Sequence, residues 1–306
     1  MRKVMGTEAG NGSIRGLDKV TDTVVSVLML VISAIILLPV VFITVISFTS
    51  EASIAKNGYR FIAKEWSVDA YRYLGRSTEH ILNSFGITAL ITVVGTILSL
   101  ILISTMAYAI SQNDFGLRRL YTAIIMLPMF FGGGLAASYA VNTQIFGLKN
   151  TLFALILPTA CSSWYIIVMR TYFKNNIPGE ILEAARIDGA STYRIYFQFV
   201  LPLSRPILIT VGIFEAFGYW NSWYENLLYT DSNHRHYYTL QYVLYNLGRS
   251  AAALTSNEGI SGGAVAKVPS ESFRMALAVV IIAPVIISYP FFRKYLVKGL
   301  TAGAGK

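Results

Sequence analysis

The chain has 306 residues, of which 54% are hydrophobic and only 13% charged, a balance that excludes an ordinary soluble protein. Its single cysteine, Cys161, cannot form an intrachain disulfide, and with three histidines it makes no cluster of zinc-ligand spacing, so a disulfide scaffold and a Cys-rich metal site are excluded. The net charge of +9 comes from basic residues that mostly flank apolar runs rather than from a basic stripe interleaved with aromatics, which points to membrane topology and away from nucleic acid.

About 20 consecutive apolar residues cross a hydrocarbon core about 30 Å thick. The first such run, Val24 to Ile46, follows Arg2, Lys3, Arg15 and Lys19; with 23 residues and no small-residue cleavage pattern it is too long for a signal peptide and is expected to be a retained anchor. A loop of residues 49–82 with Tyr59, Trp66, Tyr71 and Tyr73 leads to the second run, Ser84 to Ile110. The third runs Leu120 to Val141 and the fourth Thr151 to Met169. Pro128, Gly132-Gly133-Gly134 and Pro158 within them suit either broken helices or close packing through glycine. The fifth, Pro206 to Tyr229, contains Glu215, with Glu225 near its end; the sixth runs Met275 to Phe292. Runs this long, without the alternation of barrel strands, must be helical, because an unpaired backbone group in lipid costs several kcal/mol.

The expected fold is therefore an all-α membrane protein, one domain over residues 1–306 with six transmembrane helices. An even number puts both ends on one side. Cytosolic termini place 15 Lys and Arg inside and ten outside, so the positive-inside rule predicts that orientation. The soluble segments are then an outer loop at 49–82, an inner loop near 171–205 and an outer loop at 230–273.

The inner loop reads IPGEILEAARIDGASTYRIYFQFVLPLSRP from Ile177 to Pro206. Pro178 opens a helix, Glu180 and Glu183 sit near its positive end, and Glu183 can pair with Arg186. Gly189 after Asp188 is a helix stop, and a second segment with Ile195, Phe199 and Leu201 leads into Pro202. This predicts a helix-turn-helix over 177–202 along the cytosolic face. By physics alone it could be no more than an amphipathic hairpin joining two spans.

The spacing Glu183-Ala184-Ala185, three residues, Gly189, nine residues, Phe199, one residue, Leu201-Pro202 resembles the EAA loop of permease subunits of ABC importers. Phe199 stands where that family usually has Ile. Asn83-Ser84, Ala107-Tyr108-Ala109, Trp220-Asn221 and Gly299-Leu300 are similar to the carbohydrate branch, in particular the smaller maltose permease subunit. Phe131-Gly132-Gly133-Gly134-Leu135 and Tyr238-Thr239-Leu240-Gln241-Tyr242 resemble an oligosaccharide- or polysaccharide-uptake subset. The resemblance implies that Glu183, Ala184, Ala185, Asp188, Gly189, Leu201 and Pro202 couple the spans to a cytosolic ATPase. It also implies a second permease, two ATPase subunits carrying ATP and Mg, an extracellular solute-binding protein that meets the 230–273 loop, and an oligosaccharide substrate. No G-x-x-x-x-G-K-[ST] phosphate loop is present, since Gly303-Ala304-Gly305-Lys306 lacks both the spacing and the Ser/Thr; ATP hydrolysis is expected on another chain, with no cofactor on this one.

Glu215 is too costly to face lipid, so it faces a cavity or an interhelical partner. Around it Phe214, Phe217, Tyr219, Trp220, Asn221, Trp223 and Tyr224 make an aromatic stretch suited to the C–H faces of sugars. Glu215 and Tyr219 share a helix face and Trp220 lies partly on another. Glu215, Tyr219, Trp220, Asn221, Trp164 and Tyr139 are the candidates for a substrate path, with Trp223 and Tyr224 read as an interfacial belt. His234 and His236 read as solvated surface rather than as ligands. An ion-coupled secondary transporter with Glu215 as coupling acid is the alternative, as is an ABC importer for a non-sugar solute. An intramembrane enzyme is poorly supported, because Glu215 has no intramembrane His and forms no acidic pair, Glu225 lying ten residues on near the end of the run.

Overall fold

The computed structural model describes residues 19–76, 78–256 and 271–301. Arg2, Lys3, Arg15, the glycine-containing tip at 259–263 and the tail beyond Thr301 lie outside the described residues. Every regular element among the described residues is helical, beside an isolated antiparallel bridge between Thr49 and Trp66. In order these are α1 (Lys19–Ser47), α2 (Glu51–Asn57), α3 (Asp69–Arg76), α4 (Thr78–Ser111), α5 (Arg118–Phe130) and α6 (Leu135–Ala140). There follow α7 (Ser163–Asn176), α8 (Gly179–Ile187), α9 (Thr192–Ile195), α10 (Leu201–Leu203), α11 (Arg205–Trp220), α12 (Tyr224–Tyr229), α13 (Leu240–Ser256) and α14 (Glu271–Thr301).

Three segments are each long and apolar enough to cross a bilayer alone: Val20–Ser47 of α1, Glu79–Ser111 of α4 and Glu271–Arg293 of α14. The other apolar runs are bent. α5 and the helix from Leu135 to Ile145 meet at 118°, so the run expected to be one helix over 120–141 is two. The cause is local: Pro128 removes a backbone donor, Phe131 is extended, and Gly134 takes φ 80, a conformation glycine adopts at little cost. Short 3₁₀ turns at Leu152–Leu155 and Leu157–Thr159 precede α7 and meet it at 50°. The fifth run stops at Trp220 and resumes at Tyr224, with Asn221 Nδ2 donating to the Phe217 carbonyl (2.8 Å) at the break.

The chain divides into two compact units, one of residues 1–71 with 270–279, the other of 72–269 with 280–306. Within the first, the 49–71 segment is folded back on itself. Ser50 N–H donates to the Glu65 carbonyl (3.0 Å), Ser67 N–H donates to the Phe48 carbonyl (2.8 Å), and Phe48 stacks on Tyr71 at 4.7 Å. The Glu51 carboxylate accepts from the backbone N–H of Glu271 (3.1 Å) and Ser272 (3.2 Å) and from the Ser272 hydroxyl (2.8 Å). It thereby satisfies donors that a helix N-terminus otherwise leaves open and complements the α14 dipole.

Within the second unit α4 is the central post, packed against α7 and α11. Small residues set the approach of α4 and α11. A Cβ added at Gly95 would sit 2.6 Å from the Tyr219 ring, and one at Gly212 3.2 Å from Leu100. Such close contact lets helices pack by dispersion where lipid offers no hydrophobic drive.

The 147–151 loop is clasped to the segment after α12. Asn150 takes φ 61, and its N–H donates to the Tyr229 carbonyl (2.9 Å). Asp231 N–H donates to Asn150 Oδ1 (2.8 Å), Asn150 Nδ2 donates to Asp231 Oδ2 (3.0 Å), and Lys149 lies 3.3 Å from Asp231. The Asn150 hydrogen bond, with Lys149 beside it, holds the Asp231 carboxyl below the ordinary value of 3.8. A depressed folded-state pKa means the stabilisation is present above the unfolded value and is lost as pH falls from about 3.8 through the lower folded value. We expect backbone amide exchange at Asn150 and Asp231 to accelerate across that window in the wild type, and an Asp231→Asn variant to exchange fast and pH-independently once the intrinsic rate is divided out. Unchanged wild-type protection there would show that the clasp does not depend on the carboxylate.

Candidate functional site

Two groups of side chains are candidates: the hairpin from α8 to α10 and the polar and aromatic stretch of α11. The hairpin begins with Pro178 in the N-cap position of α8 and turns at Gly189. Ala190 N–H donates to the Ala185 carbonyl (2.9 Å) and Gly189 N–H to the Arg186 carbonyl (3.0 Å), with Gly189 at φ 76. This is the paired reverse bonding that ends helices on a left-handed glycine. Ser191 then caps α9 by accepting from Arg194 N–H (3.3 Å). A wide π turn at Tyr196–Val200 carries the chain into α10, and the stretch Thr192–Leu203 meets α11 at 80°. The second arm of the hairpin thus lies nearly across the α11 axis.

Ala184 and Ala185 do not form one small-residue face: Ala185 is buried while Ala184, Glu183, Asp188 and Gly189 are exposed. Ala185, Ile195, Tyr196 and Val200 join a core with Ile103, Ala107 and Tyr108 of α4, Ile166, Met169 and Phe173 of α7, and Ile207 and Val211 of α11. The Tyr196 hydroxyl is 2.7 Å from Ser104 Oγ, and its ring lies 5.1 Å from Tyr108. Leu201 packs against this core and Pro202 is exposed. Arg186 does not pair with Glu183 as expected. Its guanidinium reaches Asp114 (2.6 Å) and Gln112 (2.9 Å) beyond the end of α4. A second acceptor beside the acid makes this a better partner than an i,i+3 helix pair worth a few tenths of a kcal/mol.

The outward face of the hairpin is unexpectedly apolar. Ile187 is 86% exposed, Tyr193 79% and Phe197 62%. None of the three stood out in the sequence, because each fits an amphipathic pattern equally well pointing inward. All three are left uncovered by the rest of this chain.

The α11 candidates do not converge. Glu215 is buried, and its Oε1 has no hydrogen-bond partner among the described residues. Tyr219, one turn on, is 2% exposed; its hydroxyl donates to the Ile156 carbonyl (3.0 Å) and lies 3.1 Å from Ser99 Oγ. Boxed in by Gly95, Ile91, Leu155 and Ile156, Tyr219 is a clamp between helices, which corrects the expectation that it lines a path. Trp220 points elsewhere, donating from Nε1 to the Ile281 carbonyl (3.1 Å) and lining an apolar cavity of about 540 Å³ with Thr92, Thr96, Phe217 and Ser288. Asn221 is exposed and accepts from Gln241 Nε2 (3.0 Å). Trp164 is exposed in the first turn of α7, and Tyr139 stacks on Tyr229 at 5.9 Å. Trp223 stacks on Tyr245 of α13 at 4.4 Å.

The segment around Tyr238 to Tyr242 ties α12 and α13 to α4. Asn226, fully buried, accepts from Thr239 N–H (3.0 Å) and donates to the Tyr237 carbonyl (2.9 Å). Leu240 N–H donates to Thr88 (3.0 Å), and Asn83 Nδ2 donates to the His236 carbonyl (2.7 Å). Among the described residues no group of His, Cys, Asp and Glu could hold a metal ion.

The architecture is a helical scaffold with apolar spans and a crosswise hairpin rooted in its core. Residues 112–302 match the family of binding-protein-dependent transport system inner membrane components, and the chain belongs to that family. It is 33% identical over 275 residues to Protein LplC of Bacillus subtilis (strain 168), covering 90% of this chain and 91% of that protein. It is 31% identical over 289 residues to the polygalacturonan/rhamnogalacturonan transport system permease protein YtcP of the same organism, covering 94% and 99%. A crystal structure of a bacterial ABC transporter involved in the import of the acidic polysaccharide alginate contains a chain similar to it with a TM-score of 0.74, at 28% identity over 94% of this chain and 99% of that one. The protein is thus a multi-pass membrane permease component and not a catalytic subunit, and the ion-coupled secondary transporter gives way.

Proposed function

We propose that this chain is one of two permease subunits of an ATP-driven importer of oligosaccharides, and that the hairpin from Ile177 to Pro202 is where it meets an ATPase. The observation that carries the reading is the two-sided character of the hairpin. Its outer face offers Ile187, Tyr193 and Phe197, while its inner face, through Ala185, Ile195, Tyr196 and Val200, is part of the same packed core as α4, α7 and α11. A push on the outer face is then delivered to three helices at once, because close-packed interiors transmit displacement rather than absorb it. The relatives' roles in polygalacturonan/rhamnogalacturonan transport and in alginate import support a carbohydrate substrate.

In this reading the termini and the hairpin are cytosolic, the segments 49–82 and 230–273 face outward toward a solute-binding protein, and the six spans are α1, α4, α5 with α6, the turns before α7 with α7, α11, and α14. ATP and Mg reside on two ATPase subunits, so no nucleotide chemistry falls to this chain. ATP-driven closure of the ATPases moves the hairpin and opens the path outward to receive sugar; hydrolysis resets it. Glu215 supplies a buried acid at the helix interface, with one oxygen left without a hydrogen-bond partner among the described residues.

Reconstitution of the chain with its partner permease, ATPase and binding protein in liposomes tests the reading. Uptake of labelled oligosaccharide is expected to require ATP inside the ATPase-facing compartment and to persist when ion gradients are collapsed. Uptake that follows a proton or sodium gradient with no ATPase present would sink it.

A further inference from the structure

One group of side chains serves neither the hairpin nor the α4–α11 interface. Gln241, Leu244, Tyr245, Gly248 and Arg249 recur at spacings of three and four along α13 and so share one of its faces. With Trp223 they line a recess of about 440 Å³, a size that accommodates small ligands. Trp223 and Tyr245 lie with centroids 4.4 Å apart and planes at 28°. The Arg249 guanidinium carbon is 5.8 Å from the Tyr245 ring centroid, so the cation is placed beside an aromatic face while its N–H donors stay available. No acid among the described residues forms an ion pair with Arg249. The Gln241 amide is oriented by donating to Asn221 Oδ1 (3.0 Å). A Cβ added at Gly248 would meet nothing within 4 Å, so at this point it is the missing side chain that leaves the recess open.

We infer that this recess is a binding subsite for a carboxylated sugar, a uronate unit of the transported oligosaccharide. The requirements of such a ligand are met one by one. Its apolar C–H face needs an aromatic surface, supplied by Trp223, whose ring the stack on Tyr245 holds in place. Its hydroxyls need an oriented amide, supplied by Gln241. Its carboxylate needs a planar pair of donors, which the Arg249 fork provides better than any other cationic side chain. A neutral sugar would satisfy the first two groups and leave the guanidinium without its counter-charge. The inference rests on the sugar-importer reading and extends it to the chemistry of the sugar, on the face that the proposed topology turns outward.

The test is equilibrium dialysis of labelled trigalacturonate and of its fully methyl-esterified form, which has the same sugar backbone but no charge, against the assembled importer in nanodiscs without binding protein. Wild type is expected to bind the acid about tenfold more tightly than the ester, with the preference shrinking as salt rises. Arg249→Gln should abolish the preference and leave ester binding in place, and Gly248→Leu, which fills the recess, should weaken both ligands. Retained ATPase copurification shows that each variant is assembled. Equal affinity for acid and ester in the wild type, or a preference that survives Arg249→Gln, marks a solvated aromatic surface only and overturns the subsite while leaving the importer reading standing. An importer that neither binds nor carries any sugar overturns both.

Discussion

Ile187→Asp is expected to abolish ATP-driven uptake while leaving the chain inserted, folded and paired with its partner permease. Ile187 ends α8 and is 86% exposed, so its side chain contributes little to the stability of this chain, and a charge there meets water. In a docked complex the same carboxylate would have to be buried without a counter-charge. Apolar anchors at interface centres are worth about 2 kcal/mol or more, a factor of about 30 in affinity, and the added desolvation of a charge makes the loss larger. Copurification of the ATPase and uptake should fall together, with the thermal midpoint unchanged. Gly189→Trp is a less clean probe of the same surface. Gly189 sits at φ 76, where an L side chain costs about 1–2 kcal/mol, so that substitution strains the turn as well as blocking the face. Ala184→Trp, at an exposed position with ordinary helical geometry, separates the two effects.

The second large effect is on stability. Gly95→Val should lower the thermal midpoint sharply, because even the first added carbon would fall 2.6 Å from the Tyr219 ring. Overpacking of this kind costs about 1–3 kcal/mol where neighbours can move, and here the ring is held by its hydroxyl at Ser99 and Ile156. Gly95→Ala should show the same effect more weakly, and adding Tyr219→Leu should recover part of the loss. In a double-mutant cycle followed by thermal unfolding in detergent, the two substitutions should be strongly non-additive. Additive effects would mean that the α4–α11 contact is looser than its geometry.

Much of this was legible in the sequence, and what escaped has physical causes. The apolar runs were unmistakable because a bilayer demands length and an absence of charge, and both are one-dimensional properties. The stop at Gly189 followed from a left-handed position that only a few residues tolerate. The bends were legible as composition but not as angles: Pro128 with three glycines allowed a break, and nothing local fixed 118°. The sequence displays Glu183 as a helix neighbour of Arg186 and does not display Asp114, which the fold brings to it from beyond the end of α4. By residue type Tyr219 suits a sugar path, whereas its burial against Gly95, 124 positions earlier in the chain, makes it a clamp between helices. The α13 recess could have been found from the period of Gln241, Tyr245 and Arg249, but its pairing with Trp223 spans an intervening turn that periodicity does not register.

If the hairpin from Ile177 to Pro202 meets the ATPase, its tip at Ile187 must lie against that subunit. The most direct measurement is site-specific cross-linking of Ile187→Cys, in a Cys161→Ser background, with single cysteines placed over the surface of the partner ATPase. An efficient disulfide or short-linker cross-link to one groove of the ATPase is expected, with a yield that changes on adding ATP. Cross-linking of Ile187→Cys to the second permease or to lipid, with none to the ATPase in an actively transporting preparation, would contradict it.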